Sequence, residues 1–201
     1  MRENNEVTGV RRLSQAISEG DGISVIACVG DVDAARSAEE QGAEGLLLTR
    51  GVDGVRSETA LPLLWGPEGP PADAARAGAD AWRLVVATAD EDELAGLLAE
   101  TRRHELECVV EVRDDEELEI ALERVDPEIF LLSARDADDE EDALERVLDL
   151  LPDVPAGKLA IAEVAVRGRD DIVALERAGV DGVIVRTSDV VELVGKAPPE
   201  V

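Results

Sequence analysis

Two carboxylates stand in this sequence where a charge is expensive. Glu111 lies inside VVEVR and Glu163 inside AIAEVAV, both apolar runs of strand length. A carboxylate among aliphatic side chains must find a partner or lose its charge. The partner type at hand is arginine: IFLLSARD ends a run with Ser133 and Arg135, and VIVRTS ends another with Arg186 and Ser188. One reading is structural, with Arg135 or Arg186 pairing to the glutamates and filling space. The other is chemical, with Glu111 and Glu163 as catalytic candidates, a general base or an orienting acid acting on a small ligand. In that second reading Arg135, Ser133, Arg186 and Ser188 form the ligand- or phosphate-binding set, because a guanidinium clamps phosphate or carboxylate bidentately. A salt bridge from Arg135 to Asp136 or Glu111 is the competing use.

Other chemistries have little support. His104 is the only histidine and falls near the end of a charged helical stretch, so neither a histidine triad nor a histidine-ligated metal is indicated. The acidic run DADDEED, 136–142, lacks the glycine and terminal glutamate spacing of a calcium loop and reads as a solvated helix start. Cys28 and Cys108 sit far apart in apolar runs, which suggests small buried groups rather than a disulfide or a nucleophile. No cofactor is expected.

These side chains need a scaffold, and the sequence supplies a repeating one. Apolar runs begin at Ile23, Gly45, Leu61, Ala81, Glu107, Pro127, Lys158 and Val180, separated by acidic stretches of helical period. Strands apolar throughout, alternating with amphipathic helices, indicate a parallel sheet covered by helices. Three junctions share one device: QGAEGLLL from Gln41, AGADAWRL from Ala77 and AGVDGVIV from Ala178 each put a glycine past a helix, where a left-handed C-cap is wanted. Asp90, Asp114 and the pair Arg169 and Asp170 precede or open helices with carboxylates in the first turn. GVDGVRSETA is too short for a full helix, and SDVVELVG allows about two turns. Only a single glycine follows the first strand in ACVGDVDAAR, so the dinucleotide fingerprint of an open doubly wound sheet is missing. The expected fold is α/β, a compact (β/α)8 TIM barrel over residues 23–196, with a short N-terminal extension at 1–22 and a tail at 197–201. Functional groups of such barrels stand where the strands end. The other residues at those ends are Cys28, Gly30, Thr49, Arg50, Trp65, Gly66, Thr88 and Arg113.

The 201 residues carry a formal charge of −27, from 47 acidic and 20 basic residues, with lysine only at Lys158 and Lys196. A field of that sign repels nucleic acid, and it resembles the solvation of halophilic proteins, in which counter-ions screen the carboxylates. With one Phe, two Trp and no Tyr, the core must be aliphatic. The N-terminal stretch has no signal-like apolar segment and no apolar run reaches membrane-spanning length, so a cytoplasmic protein without a membrane partner is expected. A small anionic or phosphorylated metabolite is the expected partner, and oligomeric state is not legible.

The chain resembles indole-3-glycerol-phosphate synthase, the decarboxylating ring-closure enzyme of tryptophan biosynthesis. VVEVRDDEELEIAL is similar to the family's fifth strand and helix. LLSARD is similar to its sixth-strand segment ending Asn-Arg-Asp, and LAIAEVAVRGRDDIVALERAGVDGVIV to its seventh and eighth units. LPLLWGPE and AARAGADAWRLVV resemble the third and fourth units, and ISVIACVG the first strand. The resemblance implies that Glu111 takes the place of the general base, Glu163 that of the seventh-strand glutamate, and Arg135 that of the arginine in the Asn-Arg-Asp segment. It also shows departures. Cys28 and Gly30 stand where the first strand should end Glu-x-Lys, and Gly66 where the third strand should present the general-acid lysine. Ser133 replaces the Asn, Val164 and Ala165 a Ser-Gly pair, and Arg186 a glycine near the substrate phosphate. Three readings follow from the resemblance. The first is a diverged member with little or no synthase activity that binds a small anion, a pseudoenzyme. The second is an active lyase with Glu111 as general base, and the third a non-catalytic scaffold for an interaction partner.

Overall fold

A computed structural model describes residues 12–20, 22–89, 91–135, 137 and 140–194. Eight parallel strands close into a ring: β1 (Ser24–Val29), β2 (Gly45–Leu48), β3 (Leu63–Trp65), β4 (Ala81–Val85), β5 (Glu107–Val112), β6 (Ile129–Ser133), β7 (Leu159–Glu163) and β8 (Gly182–Val185). Each pairs with its neighbours in sequence, and β8 returns to β1 through Ser24 opposite Gly182. The barrel expected from the sequence is therefore present, one strand for each apolar run.

The strands are apolar on both faces because both are covered. Outward-facing Val25, Leu46, Leu63, Trp82, Val110, Phe130, Ala160 and Val183 belong to the layer packed under the helices. Inward-facing Ile26, Leu47, Leu64, Val109, Leu131, Ile161 and Ile184 fill the lumen with aliphatic carbon. Side chains alternate along a strand, so both sets come from the same runs.

The helices are α1 (Leu13–Ser18), α2 (Val32–Glu40), α3 (Val55–Glu58), α4 (Pro71–Arg76), α5 (Glu91–Arg103), α6 (Asp115–Arg124), α7 (Glu140–Leu150), α8 (Arg169–Ala178) and α9 (Val191–Val194). Asp31 and Asp114 cap α2 and α6, accepting from the backbone N–H of Ala34 and Glu117 at 2.8 and 2.9 Å. The three expected glycine stops adopt the left-handed conformation: Gly42, Gly78 and Gly179 have φ of +94°, +74° and +101°. As expected, GVDGVRSETA makes only the single turn α3. Helix α9 spans four described residues. Asp90, Asp136, Asp138, Asp139, Lys196 and the 197–201 tail, all invoked in the sequence reading, lie outside the described residues.

Of the expected N-terminal extension, residues 1–11 and 21 lie outside the described residues. Within 1–22, α1 closes the base of the barrel: Leu13 and Ile17 join the lumen cluster, 0% and 4% exposed. Ser14 holds the helix there, donating from its backbone N–H to the Glu107 carboxylate at 3.2 Å and from its hydroxyl to the same group. No described helix is long and apolar enough to cross a membrane.

Candidate active site at the barrel mouth

The C-terminal ends of the strands converge on a band of polar groups above the aliphatic lumen. Alternation and register put Cys28, Gly66, Arg83, Glu111, Ser133 and Glu163 on the inward face. Glu111 is fully buried and Glu163 only 3% exposed.

Glu111 is gripped from three elements. Its Oε1 accepts from Arg113 Nε and Nη2 at 3.2 and 3.0 Å and from Arg135 Nη2 at 2.8 Å. Its Oε2 lies 3.2 Å from Arg83 Nη1, an ion-pair distance, yet the atom makes no aligned hydrogen bond. That contact is a charge interaction, since hydrogen bonding depends on angle and Coulomb attraction does not. Glu163 accepts from Ser133 Oγ at 3.2 Å and from Arg186, with Arg135 Nε 3.3 Å from its Oε2. Arg135 therefore bridges the two carboxylates.

The guanidiniums are graded from inside to outside. Side-chain exposure rises from 9% for Arg83 through 25% for Arg113 and 35% for Arg135 to 56% for Arg186. Burial pulls the Arg83 pKa below its ordinary value, with Glu111 opposing and Arg135 reinforcing the shift. For Arg186, burial acts downward but Cys28 and Glu163 outweigh it, and the net direction is up. Burial pushes the Cys28 thiol up to about 11 despite the nearby Arg186 and Arg83, so it is protonated at neutral pH.

The site residues inferred from sequence separate into two groups. Glu111, Glu163, Ser133, Arg135 and Arg186 meet in one network. Ser188 does not join it: it is exposed and its carbonyl accepts from Gln41 Nε2 at 3.1 Å, because the chain past β8 turns toward the C-terminal end of α2. Thr49 and Thr88 turn their hydroxyls onto the backbone carbonyls of Val29 and Val85. Trp65 packs outward under the helices rather than into the mouth. Arg50 donates to the Gly30 carbonyl at 2.6 Å. His104 is exposed, and no group of His, Cys, Asp or Glu able to hold a metal occurs among the described residues.

The residue that sequence reading missed is Arg83. It lies inside the apolar run AWRLVVA, as conspicuous there as the glutamates are in theirs, but four residues before the run ends. Its Nη2 donates to the carbonyl of Gly66 across the β3–β4 edge. Gly66 itself is tightly enclosed: a Cβ there would come 2.7 Å from the Leu48 carbonyl oxygen and 2.8 Å from Leu47 Cδ1. Lys158, one of the two lysines, is at the base of β7 and pairs with Asp126 at 2.8 Å.

Comparison with known proteins identifies the family and the fold. The sequence profile of indole-3-glycerol phosphate synthase matches residues 72–191, from α4 to the start of α9. A curated relative, indole-3-glycerol phosphate synthase 2 of Streptomyces coelicolor, is 41% identical over 110 residues, 54% of this chain and 42% of that protein. The match thus spans less than half the relative's length. The crystal structure of oxaloacetate acetylhydrolase superposes with a TM-score of 0.63 at 16% identity, covering 90% of this chain and 81% of that one, a likeness of fold alone. Profile, relative and closed barrel agree that this chain belongs to the indole-3-glycerol phosphate synthase family.

Proposed function

We propose that this barrel retains the family's fold and the carboxylates of its fifth and seventh strands but has little or no synthase activity, and that its mouth instead holds a small anionic or phosphorylated ligand. The observation that carries the first half is the enclosure of Gly66. Ring closure with loss of carbon dioxide calls for a proton donor beside the carbonyl and a carboxylate that accepts protons. Where the resemblance expects the donor lysine, even a methyl group would strike the Leu48 backbone. The cation beside that place is Arg83, and a guanidinium stays charged at neutral pH and makes a poor proton donor. Loss of one positioned general acid lowers rate by roughly 10²–10⁴-fold. The second half rests on charge. Among the described residues Arg83, Arg135 and Arg186 alternate with Glu111 and Glu163 in a chain of net charge −27, a local reversal of sign that favours an anion.

The test is turnover. Purified protein in high salt, given the anthranilate-type deoxyribulose phosphate, should form no indole product above the level of a Glu111→Gln preparation. Turnover that Glu111→Gln abolishes would overturn the proposal and establish an active lyase with Glu111 as base. Thermal-shift measurements with phosphorylated metabolites test the binding half, since a ligand of the folded state raises Tm. No shift with any anion favours a scaffold.

A further inference from the structure

The polar network is an open chain of alternating charge. From β4 to β8 it runs Arg83, Glu111, Arg135, Glu163, Arg186, each touching the next: 3.2 Å, 2.8 Å, 3.3 Å and a hydrogen bond at the last step. Arg113 is engaged on Glu111 as well. The series begins and ends with a cation. It follows the wall from β4 to β8; on the β1–β3 side the strand ends carry Cys28, Gly30 and Gly66, and Arg50 there is turned onto the Gly30 carbonyl. Cys28 packs against the lumen cluster on the inward face and feels both terminal guanidiniums, Arg186 and Arg83, together with Arg135, while Glu163 opposes them. Its half-buried sulfur therefore marks where a negative charge would face both ends of the chain.

Resting on the anion-binding reading above, we infer that a compact oxyanion binds over Cys28 between Arg83 and Arg186, closing the alternating chain into a ring. Both anchors are guanidiniums with more N–H groups than these contacts use: Arg83 places Nη2 on the Gly66 carbonyl and Nη1 beside Glu111, and Arg186 places Nη2 on Glu163. Forked donors on two sides fit an oxyanion with acceptors on both faces. Size is limited on both flanks. Leu47 and the Leu48 carbonyl crowd the end of β3 at Gly66, and the Arg186 side chain stands at the end of β8. Inorganic phosphate meets these limits better than a sugar phosphate does.

Calorimetric titration with inorganic phosphate and with ribose 5-phosphate, in high salt at fixed ionic strength, tests the assignment. Phosphate should bind at one site and more tightly than the sugar phosphate. Arg83→Met and Arg186→Met should each weaken it about tenfold or more, as expected for loss of charge-assisted hydrogen bonds. Arg36→Met, which removes only exposed pairs with Asp33 and Glu58, should leave binding unchanged. Cys28→Glu supplies the missing charge from within, so it should abolish phosphate binding and raise the unfolding midpoint of the free protein. Should Arg83→Met fail to fold, the half-exposed Arg186 and the Cys28 variant carry the test. Phosphate binding untouched by the Arg186 and Cys28 variants, or tighter binding of ribose 5-phosphate, would overturn the inference while leaving anion binding intact. If neither compound binds, and no other phosphorylated metabolite does, both readings fall.

Discussion

Replacing Glu111 by Gln removes a charge while keeping the shape of the side chain, and its consequence follows from who is left behind. Arg113 and Arg135, with side chains 25% and 35% exposed, can turn toward water. Arg83 cannot, at 9% exposed, and would keep only the Gly66 carbonyl and a neutral amide. Removing one partner of a buried pair costs about 3–5 kcal/mol. Two of the three cations being solvent-accessible places Glu111→Gln near the lower end, about 3 kcal/mol, a sizeable part of a typical domain's 5–15 kcal/mol. With a urea m-value of about 2–3 kcal/mol/M for a chain of this size, the midpoint should fall by about 1–1.5 M. The double variant Glu111→Gln with Arg83→Met should recover much of that loss, because the stranded charge is gone. Urea unfolding at one fixed high salt concentration measures all three proteins. A Glu111→Gln loss below about 1 kcal/mol, or a double variant less stable than the single by the full effect of Arg83→Met, would refute the claim that a trapped guanidinium sets the energetics.

Three further outcomes are expected. Gly66→Ala should destabilise by about 1–3 kcal/mol through overpacking, whereas Gly30→Ala, whose nearest neighbour would be Thr49 Oγ1 at 3.4 Å, should be nearly neutral in the same unfolding assay. Because the charge is −27, Tm should rise steeply with added salt as screening tightens from about 10 Å at 0.1 M to 3 Å at 1 M; a flat salt profile would show that self-repulsion is not limiting. Cys28 should resist alkylation at pH 8 and react as pH approaches 11, by mass spectrometry of the modified peptide. The sign for stability follows from the same shift: the folded thiol holds its proton from pH 9 to about 11 while the unfolded one releases it, so stability should fall as pH rises through that window.

Much of this protein is legible along the chain because a closed parallel barrel buries both faces of every strand, so each strand must be a continuous aliphatic run whatever it packs against. The glycines at 42, 78 and 179 announce themselves for a similarly local reason, a helix ending in a left-handed residue. Glu111 and Glu163 are conspicuous because a carboxylate in such a run demands explanation. Which arginine answers it is not a local matter. Register and the stagger of the ring bring Arg83 from the middle of its run to Glu111, let Arg135 reach two strands at once, and send Ser188 away toward α2. The folding of Leu13 and Ile17 into the barrel base and the crowding at Gly66 likewise arise only when distant strands meet. Periodicity and composition act between neighbours in sequence, whereas ion pairs and steric limits act between neighbours in space, and closing the sheet is what makes the second set.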